Sequence, residues 1–388
     1  MYFMQMSSAR VIGKATKVPY LLQEWERNMQ LSELNTIAGY LGHLVCLRDI
    51  EPDRTIVDAL VQVWDSETAV FGFRKFEMAP TLEEIAGFLG LDFKDRAVIL
   101  PSLGTTRDFS LFTGISKAAI PRGPEASSVT LIFLHEHFGT KQDFHRNKTH
   151  FLHPTEESWV QKRVQVFALA LTSAYLFSKS DRRTAFKTVQ MLADLIHGVG
   201  GQDLTINPTI LADILVACTN CQNGVKIFKG LSLLLQVWFM EHLGRRKIVR
   251  HDFSWDRVNW VQSHNQRINR AKLLKDKEKY IRWLSSLKES EIQWVLEWVP
   301  CHAPSLQSAS LPFIPLIENE GIVQYMPFRV LSQFGRVQTI PPKSATDRFN
   351  VMFNKGIRPE SIPEKLSILS AWASRRACQE SLYDPQQR

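Results

Sequence analysis

Several features that mark specialised classes of protein are missing from this chain. Its 388 residues include five cysteines, an odd and unevenly spaced set, which argues against the disulfide framework of a small secreted protein. The N-terminus shows no apolar stretch typical of a signal peptide. The longest near-continuous apolar run, 166–177, is shorter than the roughly 20 residues that cross a bilayer. We therefore expect a protein of the cytoplasm or the nucleus, with no membrane partner.

The motifs of common enzyme classes are missing as well. The sequence has no G-x-x-x-x-G-K-[ST], G-x-G-x-x-G, G-x-S-x-G or H-E-x-x-H pattern. The glycines within 198–201 follow a predicted helix instead of opening one, so we interpret them as the end of that helix. We predict no enzymatic activity and no cofactor. The acids Asp194 and Asp213 in otherwise apolar helices leave a metal-dependent hydrolase or transferase as an alternative, since a transposase-type acidic triad has no fixed spacing.

The net charge of +8 comes from one segment. Residues 244–288 contain thirteen Lys and Arg but four acids, a net +9, so the rest of the chain is nearly neutral at −1. Aromatic residues are interleaved with this charge, and such a surface could neutralise phosphates and stack on unpaired bases. The alternative is a solvated connector whose aromatics anchor it to the core. On the first interpretation, the nucleic-acid-binding residues are Arg245, Arg246, Lys247, Arg250, Trp255, Trp260, Arg267, Arg270, Lys272 and Lys275.

The stretch 53–93 contains the clearest local structure. Apolar residues at helical spacing predict a helix that ends at Trp64, and the aromatic-rich pair VFGF and KFEM predicts a two-stranded ribbon. Thr81 followed three residues later by Glu84 predicts a capping box. The helix that it opens ends at Gly90. The sequence therefore predicts a compact unit of helix, ribbon and capped helix.

Four apolar helices follow in the middle of the chain. They begin near Thr155, Thr184, Asn207 and Ile227, and they are joined by short connections, which is typical of an α-helical core. We predict a mainly α fold: one large helical domain over 30–342 with a small β-ribbon near 70–79. A peripheral N-terminal segment (1–29) precedes it and a C-terminal tail (343–388) follows it.

Histidines and cysteines supply candidate metal ligands. Five of the eleven histidines lie within 135–153, and imidazole is a ligand for zinc. His135 and His137 are two apart on a predicted helix, which points them to different sides. The other three fall in 140–154, which we predict to be a solvated polar loop with no fixed geometry. The pair C-x-x-C needs a second pair for a structural zinc site, and buried thiols are the alternative. The candidate ligands are Cys218, Cys221, His135, His137 and His145.

The stretch 53–93 also resembles a known family. The segments LVQVWDSETAVFGF and MAPTLEEIAGFLGL are similar to two blocks of the plant mobile domain, which is also labelled aminotransferase-like. The matching residues are Trp64, Glu67, Thr68, Phe71, Glu77, Met78, 81–85 and 89–91. Later blocks, among them GVKIFKGLSLLLQVWFMEHLG and FRVLSQFGRVQTIPP, extend the similarity to roughly 30–342.

The resemblance implies a plant protein of transposable-element origin. Domesticated members of the family are associated with the nucleus, with transposon silencing and with genome maintenance through protein partners. It thus implies a non-enzymatic interaction module, with direct nucleic-acid binding as the first alternative. The aminotransferase label finds no support in the residues, since no phosphate cradle or parallel α/β pattern is visible.

Overall fold

The computed structural model describes residues 19–47, 50, 52–121, 127–177, 183–243, 277–296, 304–308, 313–318, 321–338, 350–352 and 364–377. Its helices are α1 (Tyr20–Arg27), α2 (Leu31–Leu41), α3 (Leu44–Leu47), α4 (Arg54–Gln62), α5 (Leu82–Leu89), α6 (Thr106–Thr113), α7 (Leu131–Phe138), α8 (Lys141–Arg146), α9 (Glu156–Leu171), α10 (Phe186–His197), α11 (Asn207–Gln222), α12 (Ser232–His242), α13 (Lys277–Ser286) and α14 (Glu364–Ala373). The predicted mainly α fold is confirmed.

The β-structure consists of small sheets. The strands are β1 (Trp64–Asp65), β2 (Val70–Gly72), β3 (Glu77–Met78), β4 (Ala97–Val98), β5 (Ser128–Thr130), β6 (Arg183–Ala185), β7 (Leu204–Thr205), β8 (Ser305–Gln307), β9 (Ile314–Ile317), β10 (Gly321–Tyr325), β11 (Asn350–Met352) and β12 (Arg376–Ala377). Two sheets have three antiparallel strands, in the orders β1-β2-β3 and β11-β10-β9. The pairs β5–β6 and β8–β12 are antiparallel, and β4–β7 is parallel.

The predicted ribbon is confirmed and gains a third strand, because Trp64 in β1 pairs with Phe71 in β2. The sheets outside 64–78 are not among the predictions. Every residue of β9 and β10 is buried, so these strands lack the alternation of apolar and polar residues by which a half-exposed strand is recognised.

Helix α11 is one of the most extensively buried helices of the described chain. It contacts α4, α5 and strands β1, β9 and β10. Eleven of its sixteen residues are buried. Its apolar residues belong to the hydrophobic core that these elements share. Within the described part of the chain, no helix combines the length and the apolar character needed to cross a bilayer.

The unit predicted over 53–93 forms as expected. Thr81 Oγ1 accepts from the Glu84 backbone N–H at 3.1 Å, and Glu84 Oε2 accepts from the Thr81 N–H at 2.9 Å, so the capping box is complete. Gly90 ends the helix in the left-handed conformation, with φ 66°. A side chain there would also collide with the His43 ring, which explains glycine at this position.

Residues near both ends of the described chain reach the same hydrophobic core. Trp25 in α1 is fully buried and lies edge-on to Phe167 at 5.3 Å. Trp372 in α14 is buried beside Phe93 and donates its indole N–H to the Arg96 carbonyl at 3.0 Å. The domain boundaries at 30 and 342 stay a prediction. Trp25, before residue 30, and Trp372, after residue 342, both contact the core.

Trp64 joins the sheet β1-β2-β3 to the fourth of the central apolar helices, α12. Its ring lies 4.8 Å from that of Phe71, which is 5.5 Å from Trp238 of α12. Its indole N–H donates to Thr219 Oγ1 at 3.0 Å.

We expect Trp64→Phe to lower the free energy of unfolding by about 1–2 kcal/mol, because a buried hydrogen bond and part of the ring volume are lost. Urea unfolding measures this change. Tyr20→Phe is the matched control, since Tyr20 is largely exposed. Equal stability of the Trp64 variant and the unmodified protein would contradict the prediction.

Candidate functional site

The ten residues assigned to nucleic-acid binding, Arg245 to Lys275, lie outside the described residues. The described end of the basic segment is α13, which packs against α4. In α13, Tyr280 and Leu284 are buried while Lys279 and Arg282 are exposed. This part of the segment is therefore a helix with aromatic anchoring to the core and a charged outer face.

The prediction of a solvated loop over 140–154 is wrong. Residues 141–146 form α8, and a 3₁₀ turn follows at Lys148–His150. Thr140 and Asp143 make a capping box, and Phe144 is buried between Phe151 and Trp159. The T-x-x-D spacing is the local signal that could have identified this helix.

The three candidate ligands of this region, His135, His137 and His145, have separate environments. His137 in α7 is buried, with Nδ1 on the Phe133 carbonyl at 2.8 Å and Nε2 on His150 Nδ1 at 3.0 Å. His135 lies edge-on to Trp25, and His145 is exposed on α8. Among the residues that the structure describes, no three His, Cys, Asp or Glu side chains converge to hold a metal ion.

Cys218 and Cys221 are buried, free thiols on α11. Burial raises the pKa of Cys221 to about 11, and it raises the pKa of Cys218 well above its ordinary value. With no cation beside them among the described residues, both groups are therefore protonated thiols at neutral pH. A zinc site here could recruit His197, Cys301 and His302 only through the fold, and Cys301 and His302 lie outside the described ranges.

A buried polar cluster is centred on Glu84, and the sequence predicted only its cap. Glu84 Oε1 accepts from His242 Nε2 at 2.9 Å and from Gln333 Nε2 at 2.9 Å. Glu84 Oε2 accepts from the indole N–H of Trp238 at 2.9 Å, in addition to the Thr81 N–H. The carboxylate thus joins α5, α12 and the C-terminal segment that contains Gln333. We call Glu84, His242, Trp238, Gln333 and Thr81 the Glu84 cluster.

The partners of the Glu84 cluster define its charge. Burial alone would raise the pKa of Glu84, but the charge and hydrogen bond of His242, with Gln333 and the Thr81 N–H, hold that pKa below its ordinary value. His242 Nδ1 faces the Gln293 carbonyl at 2.7 Å. Both ring nitrogens therefore face oxygen atoms, and a doubly protonated ring opposite the Glu84 carboxylate satisfies both contacts.

Solvent does not reach this ion pair. His242 is 0% exposed and Glu84 is 3% exposed. An acid–base residue in catalysis must approach a substrate proton to within hydrogen-bond distance. The Glu84 cluster is instead suited to holding distant segments of the chain together.

Other polar residues of the resembling blocks also face inward. Arg329 binds Glu77 through two hydrogen bonds, of 2.8 and 2.7 Å. Gln324 donates to the Glu67 carbonyl at 3.0 Å. Gln333 pairs with the Ala79 backbone, accepting its N–H and donating to its carbonyl. Arg329, Gln333 and His242 lie in segments for which the resemblance was noted. No spacing rule, however, links these three residues to partners some 160–250 positions earlier in the chain.

Glu83, next to Glu84, has the opposite electrostatic environment. Its side chain is 2% exposed, Oε1 accepts the Ser305 N–H at 3.0 Å, and Oε2 has no hydrogen-bond partner among the described residues. Burial raises the pKa of Glu83 to about 7, against the weaker effect of the Ser305 hydrogen bond. Adjacent carboxyl groups therefore have pKa values shifted in opposite directions.

This difference predicts a pH dependence of stability. A carboxyl group with a raised pKa destabilises the fold progressively as pH rises from 4.5 to about 7, because the folded state must then hold a buried charge. We expect Glu83→Gln to be about 3 kcal/mol more stable than the unmodified protein at pH 8, with the difference vanishing near pH 4.5.

Urea unfolding between pH 4.5 and 8 measures the effect. Glu157→Gln, at an exposed position on α9, is the matched control and should change stability little at any pH. A stability difference for Glu83→Gln that does not change with pH would contradict the assignment.

Comparisons with known proteins place the chain in a family. It matches the family model described as Domain of unknown function (DUF7745) over residues 22–382. It is similar to Protein MAIN-LIKE 2 of Arabidopsis thaliana, with 26% identity over 283 residues, which cover 71% of this chain and 39% of that protein. It is also similar to Serine/threonine-protein phosphatase 7 long form homolog of Arabidopsis thaliana, with 25% identity over 315 residues, 75% of this chain and 22% of that protein.

The chain thus spans less than half the length of these curated relatives. No solved structure matches it. The family match covers most of the chain, including the Glu84 cluster and the blocks on which the resemblance rests. The chain belongs to the DUF7745 family and, as the resemblance indicated, is a plant mobile domain protein.

Proposed function

We propose that this protein is a non-enzymatic interaction module of the nucleus, of transposable-element origin, which acts in transposon or gene silencing or in genome maintenance through protein partners. The observation that carries the proposal is the inward use of the motif's polar groups. Arg329 binds Glu77, and both His242 and Gln333 bind Glu84. Polar groups that are buried in this way stabilise the fold, so we assign the function to residues on the protein surface.

The comparisons give this proposal limited but consistent support. Similarity to Protein MAIN-LIKE 2 covers 71% of the chain. The relative whose name includes a phosphatase is matched over 22% of its length, so that name concerns a protein of which this chain resembles a minor part. We therefore do not extend phosphatase activity to this chain.

A tagged full chain expressed in plant cells tests the proposal. We expect it to accumulate in nuclei and to retain a reproducible set of silencing or genome-maintenance proteins after affinity purification from nuclear extract. The tag alone, purified in the same way, is the control. Exclusion from the nucleus, or recovery of the same proteins with the tag alone, would overturn the proposal.

A second candidate function is direct nucleic-acid binding, which the +9 charge of 244–288 favours. If these residues bind phosphates, the logarithm of the affinity falls linearly with the logarithm of salt concentration, by about 0.7–0.9 per phosphate bound.

For this candidate we expect the triple substitution of Arg245, Arg246 and Lys247 by Ala to weaken binding equally on all sequences. It should also flatten the salt slope by roughly two to three units. Trp255→Ala should weaken binding to single strands more than to duplex, because only unpaired bases expose their faces. Fluorescence anisotropy with labelled oligonucleotides measures both effects. Lack of binding at low salt would leave 244–288 as a solvated connector.

A further inference from the structure

The outer face of α6 is apolar and basic. Leu111 is 59% exposed, and Arg107, one turn earlier on the same face, is also exposed. The opposite face is buried through Phe109 and Phe112, so the helix is fixed to the core and presents Leu111 outward. Single exposed leucines are common on protein surfaces, so Leu111 alone indicates nothing.

A second exposed leucine lies beside the end of α6. The Leu152 N–H donates to the Gly114 carbonyl at 2.8 Å, and the neighbouring residues Ile115 and Phe151 form a β-bridge. Leu152 is 44% exposed. The backbone pairing therefore holds Leu152 against the turn that follows Leu111 and makes the two leucines parts of one surface.

A lysine without a carboxylate partner lies against the last turn of α6. Lys162 of α9 donates to the Leu111 carbonyl at 3.2 Å, and its Nζ lies 6.0 Å from the centre of the Phe112 ring. Its stem runs beside Gly114, where an added Cβ would lie 3.5 Å from Lys162 Cγ. Burial lowers the pKa of Lys162, and among the described residues no carboxylate forms an ion pair with it.

The acids on the same elements do not neutralise this lysine. The Asp108 carboxylate accepts the backbone N–H of Thr105, the N-cap of α6, and Glu156 pairs with Lys141. Glu157 precedes Lys162 by five residues and so projects about 140° away around α9. The free protein therefore already incurs part of the desolvation cost of the ammonium group with no opposite charge in return.

We propose that Arg107, Leu111, Leu152 and Lys162, the Leu111 surface, bind an acidic amphipathic helix of a partner protein. Leucines of that helix would cover Leu111 and Leu152, and its carboxylates would pair with Arg107 and Lys162. A partner carboxylate gains more binding free energy at Lys162 than at a fully hydrated lysine, because less water has to be removed from the ammonium group. This proposal rests on the proposed function and specifies the chemistry of one partner segment.

A designed peptide tests the charge and apolar requirements separately. The probe is a fluorescein-labelled 18-residue helix with leucines on one face and glutamates on both flanks, and its twin carries lysines in place of the glutamates. We expect the full chain to bind the acidic peptide at least about tenfold more tightly than the twin, as measured by fluorescence anisotropy. Leu111→Ser should weaken binding by about tenfold, as removal of a central apolar contact does. Lys162→Glu should reverse the preference between the two peptides.

Val337→Ser is the matched control. Val337 is 72% exposed and lies in the C-terminal segment, so its loss should leave binding unchanged. Absence of binding to the acidic peptide, or an equal loss in Val337→Ser, would overturn the proposal. Binding to phosphatidylserine vesicles in place of the peptide would also overturn it and would identify a membrane-facing surface instead.

The same variants separate this proposal from the proposed function. If Leu111→Ser and Lys162→Glu retain every nuclear partner of the unmodified chain, the Leu111 surface is excluded and the nuclear role stands. If the unmodified chain has no nuclear partner yet binds the acidic peptide, the nuclear role fails and the surface stands.

Discussion

Replacing Glu84 by Gln should lower the free energy of unfolding by about 5 kcal/mol, although the two side chains have nearly the same volume. The substitution leaves the His242 imidazolium buried without its counterion, and breaking a buried pair costs about 3–5 kcal/mol. It also places an amide donor among the donors of Trp238 and Gln333, which adds an unsatisfied polar group. Equilibrium unfolding in urea at pH 7 measures the loss.

A double-mutant cycle separates the ion pair from the other contacts. His242→Asn alone should also destabilise the protein, and the double variant should lose less than the sum of the single losses, by about 2–3 kcal/mol. Glu289→Gln, at an exposed position, is the matched control. Additive losses would show that Glu84 and His242 do not act as a pair.

The second large effect is expected at Arg163, which is buried in α9. Its Nε and Nη2 groups donate to the carbonyls of Phe138 and Gly139, at 2.9 and 2.8 Å. Nη2 also reaches the Asn28 carbonyl, and Nη1 binds both carboxylate oxygens of Glu33 at 3.2 Å. Arg163 therefore completes the C-terminal end of α7 and fastens α2, with the turn before it, to the core.

Arg163→Met should cost about 5 kcal/mol, because three carbonyls lose this donor and the buried Glu33 carboxylate loses its positive partner, keeping only the Gln30 N–H among the described residues. Arg163→Lys keeps the charge but lacks the planar fork, so we expect it to recover less than half of the loss. Hydrogen exchange gives a second measurement, since α1 and α2 should exchange faster in the Met variant than α11. Unchanged protection of α2 would show that Glu33 is held by other contacts.

The sequence was sufficient to predict those elements whose structure depends on residues a few positions apart. The capping box at Thr81, the glycine that ends α5 and the four central helices are all local patterns, and the structure confirms them. The same rule applied at Thr140 would have found α8, where a count of polar residues gave a loop instead. Local chemistry is thus more informative than composition in this chain.

The distant partners of Glu84 in the Glu84 cluster could not be predicted from short sequence spacings. Glu84 was predicted to reach back to its own helix cap, but His242 and Gln333 are brought to it by tertiary packing. A buried polar side chain and an exposed one look alike in a sequence unless a spacing rule links the partners. The strands β9 and β10 escaped prediction for a related reason, since burial on both faces removes the alternation that identifies strands.

The distances along the chain between Glu84 and its partners also bear on how the protein is made. Trp238, His242 and Gln333 lie 154, 158 and 249 positions after Glu84. At the ribosome's pace of about 5–20 residues per second, a newly synthesised Glu84 waits on the order of tens of seconds for its last partner. During that time the apolar faces of α4 and α5 have no completed core to cover them. We therefore expect nascent chains of this protein to depend on chaperones more than a helical protein of local contacts does, and a chain truncated before Gln333 to be degraded faster than the full chain.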